Sequence, residues 1–68
     1  MLSIEQARKL ETKEELLAEL NEHIRVRNQM GGALYWGILN DECAEIATKC
    51  VELGTDRQKI EEILIRGR

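Results

Sequence analysis

The sequence predicts an all-α fold: a helical hairpin of two main helices with short terminal helices, expected to be completed as a dimeric helical bundle. Three observations predict it. Proline is absent from the 68 residues, so no ring geometry forces a break. Leu, Glu, Lys, Arg, Ala and Gln dominate, and all are good helix formers, whereas β-branched residues are sparse and Phe is missing. Apolar residues recur at helical rather than alternating spacing. The length suits one domain, residues 1–68, with helices expected at about 4–10, 12–30, 33–53 and 56–66.

Ser3 followed by Gln6 opens the first element as a capping box, and Ile4, Ala7 and Leu10 give it a narrow apolar stripe. Thr12 followed by Glu15 repeats the signal. The second element places Leu16, Leu17, Leu20 and Ile24 on one face, with acids at its start and Arg25 and Arg27 at its end, the order the helix dipole favours. Gly31 and Gly32 follow. The apolar face rotates across them, which favours a turn over one long kinked helix.

The third element has the cleanest pattern. Trp36, Cys43 and Cys50 recur every seven residues, as do Leu39, Ile46 and Leu53, giving both seam positions of a heptad. Trp36 is expected as a buried anchor of this seam. Gly54 predicts a left-handed stop, and Thr55 with Gln58 a new capping box. The last element carries Ile60, Ile63 and Leu64 inward. Pairs at i,i+4 are expected for Glu5–Lys9, Glu45–Lys49 and Glu62–Arg66.

Composition narrows the function. Thirteen acids against ten bases give a net charge of −3, which suits solubility and exerts no global pull on nucleic acid. Cys43 and Cys50 stand in no metal-ligand spacing and without a signal peptide before them, so a cytoplasmic, reducing setting with free thiols is expected. No apolar run is long enough to span a bilayer. No catalytic signature stands out, and no cofactor or metal is expected. A chain this short buries only about 60% of its unfolded surface, so oligomerisation is the expected source of extra stability.

Two candidate surfaces emerge. The stretch "ALYWGIL" is apolar on every side, which predicts burial on every side and hence a partner. Leu34, Tyr35, Trp36, Ile38 and Leu39 are the expected interface with a second copy or another protein. Arg25, Arg27, Asn28 and Gln29 form the most basic, amide-rich spot, either a solvated helix end or a contact for nucleic acid. "AEIATKCVELGTDRQKIEEIL" has the cadence of a helix-turn-helix, with Arg57, Gln58 and Lys59 as candidate contacts and Asp56, Glu61 and Glu62 opposing them.

His23, the single histidine, is expected on the helix surface or at its boundary. "HIRVRNQM" resembles the phosphoacceptor box of one histidine-kinase class, in which the histidine is followed by Arg-Val-Lys-Asn-Asn-Leu. Arg25, Val26, Arg27, Asn28 and Met30 match or are close to that string. Ile24 holds the histidine's place and His23 stands one residue early, about 100° around a helix. The resemblance implies phosphotransfer, with His23 as acceptor. In length and architecture the chain is also similar to plasmid copy-control RNA binders, which are short hairpins that dimerise into four-helix bundles. The leading expectation is a non-enzymatic interaction or regulatory module that self-associates. The alternative is a nucleic-acid-binding regulator.

Overall fold

The computed structural model describes residues 1–66 and holds four helices: α1 (Ile4–Ala7), α2 (Lys13–Gln29), α3 (Ala33–Glu52) and α4 (Arg57–Leu64). The described residues contain no strand. α2 and α3 are the two long elements and form an antiparallel hairpin, as the pairs His23–Glu42 and Arg27–Asn40 require. α4 packs against both of them.

α1, α2 and α4 start where a side chain can satisfy a free amide, whereas α3 starts at Gly32 with no side-chain cap. Ser3 accepts from the Gln6 N–H at 3.2 Å, and the Gln6 carboxamide accepts from the Ser3 N–H at 3.1 Å. Thr12 accepts from the Glu15 N–H at 3.2 Å, and its hydroxyl donates to the Glu15 carboxylate at 2.8 Å. α1 is shorter than expected. After Ala7 the amides of Lys9 and Leu10 reach back only three residues, to Gln6 and Ala7, so the coil tightens and stops.

The paired glycines make a turn. The Met30 N–H closes on the Arg27 carbonyl at 3.1 Å, and Gly32 is extended at φ −106°, ψ 133°. At the far end of α3, Gly54 sits at φ 105°, in the region that favours glycine. The amides of Thr55 and Gly54 bond to the carbonyls of Cys50 and Val51, the double closure of a Schellman motif. Because Thr55 is taken up in ending α3, Asp56 rather than Thr55 caps α4, accepting from the Gln58 N–H at 3.2 Å.

The core joins Leu16, Leu20 and Ile24 of α2 to Cys43, Ile46, Ala47 and Cys50 of α3, with Ala7, Ile60 and Ile63 covering its edges. Burying each large aliphatic chain contributes about 1.5–3 kcal/mol. The expected seam holds in its middle and fails at its ends. Leu53 is 42% exposed, and Trp36 and Leu39 are only half-buried. Leu53 is the C-cap of α3, one residue past the helix, where the backbone leaves helical geometry at φ −88°, ψ 6° and carries the side chain off the buried face.

Candidate functional site

The first two turns of α3 project the most exposed apolar side chains of the hairpin. Leu34 is 73% exposed, Tyr35 65% and Ile38 48%. Met30, in the preceding turn, adds to the same end of the molecule. Trp36 and Leu39 turn partly toward the hairpin, so the expected interface divides into three outward members and two that are half-buried. The Trp36 ring lies under the Arg27 guanidinium, 5.1 Å from its carbon to the ring centroid. "ALYWGIL" is therefore buried on one side only, with Trp36 and Leu39 half-buried and Leu34, Tyr35 and Ile38 exposed.

The basic spot does not gather at the surface. Arg27, expected on a solvated helix end, is fully buried. Its guanidinium donates to Asn28 Oδ1 at 2.9 and 3.1 Å, to Asn40 Oδ1 at 3.0 Å and to the Arg66 carbonyl at 3.2 Å. Asn28 also donates to that carbonyl, at 2.8 Å. Arg25 is exposed and ion-paired with Glu22, and Gln29 is exposed. Of the four candidate nucleic-acid contacts, Arg25 and Gln29 keep free access to a ligand, while Arg27 and Asn28 fasten the segment after α4 onto α2.

His23 is likewise interior rather than at the boundary. It is fully buried, with Nδ1 2.9 Å from Glu19 Oε1 and Nε2 3.2 Å from Glu42 Oε1. Neither nitrogen is open to a phosphoryl donor in this arrangement. Sequence reasoning missed this layer because it followed only apolar residues. The signal was present in spacing alone: Leu16, Leu20, His23 and Arg27 step by four, three and four, so the seam of α2 continues through two polar residues.

Arg8, at the end of α1, grips Glu45 of α3 through Nε at 2.6 Å and Nη2 at 3.0 Å, a two-point fork. This hydrogen-bonded guanidinium holds the Glu45 carboxyl below its usual range, as Arg25 does for Glu22. Glu45 thus faces Arg8 rather than Lys49, which instead donates to the Arg8 carbonyl at 2.5 Å.

Both cysteines are buried free thiols. Burial pushes the Cys43 thiol up to about 11 and raises that of Cys50, so neither is a thiolate nucleophile at neutral pH. Among the described residues, no three His, Cys, Asp or Glu side chains converge as a metal-ligand set. The hollows are open grooves. One of about 420 Å³ runs between α3 and α4 over Ala44, Ala47, Val51, Ile60 and Leu64. No helix is long and apolar enough to cross a membrane. Set against protein-family models, characterised proteins and solved structures, the chain matches none.

Proposed function

We propose that this chain is a non-enzymatic interaction module that pairs with a second copy of itself through the outer face at the start of α3. The observation that carries the reading is the exposure of Leu34, Tyr35 and Ile38 on one short stretch of helix. Residues 29–40 include no charged side chain, although 34% of the chain is charged. An uncharged face sets up no repulsion between copies of a chain of net charge −3, and it offers no handle to an oppositely charged partner. A regulatory subunit or adaptor in the cytoplasm is the role class that fits.

The double variant Leu34→Asp/Ile38→Asp tests it. The parent is expected to sediment as a dimer at high concentration, and the variant as a monomer with the same helical circular dichroism. A parent that stays monomeric throughout the series removes self-association from the reading. Salt-dependent retention on RNA or duplex DNA, lost in Arg25→Ala, would replace it with the nucleic-acid alternative.

A further inference from the structure

We propose that Glu19, His23 and Glu42 form a proton-linked latch that holds the N-terminal arm, residues 1–10, against the hairpin. The argument is a hydrogen count. His23 Nδ1 hydrogen-bonds the Glu19 backbone carbonyl at 3.3 Å and stands 2.9 Å from Glu19 Oε1, at ion-pair distance, while Nε2 meets Glu42 Oε1 at 3.2 Å, so each nitrogen faces only acceptors and each needs a hydrogen. A neutral imidazole supplies a single N–H, and an ionised carboxylate supplies none. The closed triad therefore carries one proton more than a neutral ring between two carboxylates. With it, the imidazolium donates at both ends. When that proton leaves to water, a buried nitrogen lone pair confronts a carboxylate oxygen, and one of the two gaps must open.

The carboxylate oxygen that pairs with His23 also holds the arm. Glu19 Oε1 accepts the Leu2 N–H at 2.8 Å. Farther along, the arm is fixed separately, by buried Ala7 and by Arg8 on Glu45. The charged neighbours act in both directions. On α2, Glu22 feels both His23 and the N-terminal ammonium. Arg27, which also stands on α2, reaches Cys43 of α3, as Glu42 does. Arg8 of the arm feels Glu42. α4 presents Ile60 and Ile63 to this core. Arg27 and the ammonium oppose the extra proton, and Glu22 favours it.

The sign follows. The latch is closed while the ring carries a hydrogen on both nitrogens and opens once rising pH removes one of them. A separate acid limb belongs to Glu45, whose low-lying carboxyl loses Arg8 as pH falls through its folded value. A single histidine makes the measurement unambiguous. Long-range ¹H–¹⁵N correlation of the ring, recorded against pH beside Leu2 amide exchange, is expected to show both nitrogens protonated while Leu2 is protected, and both features lost together. In Glu42→Gln the carboxamide donates to Nε2, so a neutral ring fills both gaps. That variant should keep Leu2 protected at the pH where the parent loses it. A neutral tautomer in the parent with Leu2 still protected overturns the latch. So does a folded Glu42→Gln that releases Leu2 at the parent's pH. The parent's ring signals decide the matter alone if the variant does not fold.

Discussion

Among the described residues, the hydrogen bonds of the buried cation Arg27 go to neutral oxygens. Backbone dipoles add negative potential around it. Arg27 lies in the last turn of α2 and binds a carbonyl just beyond α4, so two negative helix poles converge on one guanidinium. The Trp36 face adds a third source of negative potential. Only a planar fork reaches all of these partners at once, because a lysine ammonium has three donors on a single point. Arg27→Lys keeps the charge and loses the fork. It is expected to lower stability by about 1.5–3 kcal/mol in urea denaturation, the scale of hydrogen bonds to charged groups. A loss no larger than that of an ordinary surface substitution would contradict this role. The sequence marks Arg27 as basic and places it at seam spacing. Spacing locates it correctly, and polarity alone points the wrong way.

At the scale of elements, helix ends were legible because caps are local chemistry. Ser3, Thr12 and Gly54 each do what their neighbours in sequence require. Thr55 was misassigned because its amide serves α3, a demand that arises only once the preceding helix has ended. Leu53 departs from the seam because the helix ends at Glu52, one residue before the repeat does. The two turns respond oppositely to the same substitution. Gly54→Ala puts a Cβ on a residue at φ 105° and is expected to cost about 1–2 kcal/mol. Gly31 has no positive φ and nothing within 4 Å of an added Cβ. Gly31→Ala is therefore expected to gain about 0.4–1 kcal/mol by narrowing the unfolded ensemble. Thermal melts of both variants beside the parent check the signs. A destabilised Gly31→Ala would mean that the turn needs glycine for more than its flexibility.

The backbone fold spans 32 × 25 × 14 Å, a flattened shape whose hollows are open grooves. Its accessible surface of 4509 Å² nevertheless lies close to the roughly 4,400 Å² typical of a monomer of its mass. His23 and Arg27 take core positions that an apolar count leaves vacant. Gly37 separates folding from pairing. It lies mid-helix beside Ile38, half-buried, with nothing within 4 Å of an added Cβ. In the isolated chain, Gly37→Ala is expected to gain about 0.8–1 kcal/mol of helix propensity. For so small a domain that corresponds to a rise of about 4–8 °C in melting temperature. On the proposed pairing face the same methyl would stand at the margin of Leu34 and Ile38 and would hold a second copy away. Gly37→Ala should therefore melt higher at low concentration while its sedimentation shifts toward monomer at high concentration. A lower melting temperature would refute the open space above Gly37. A higher one with pairing intact would move the contact toward Tyr35.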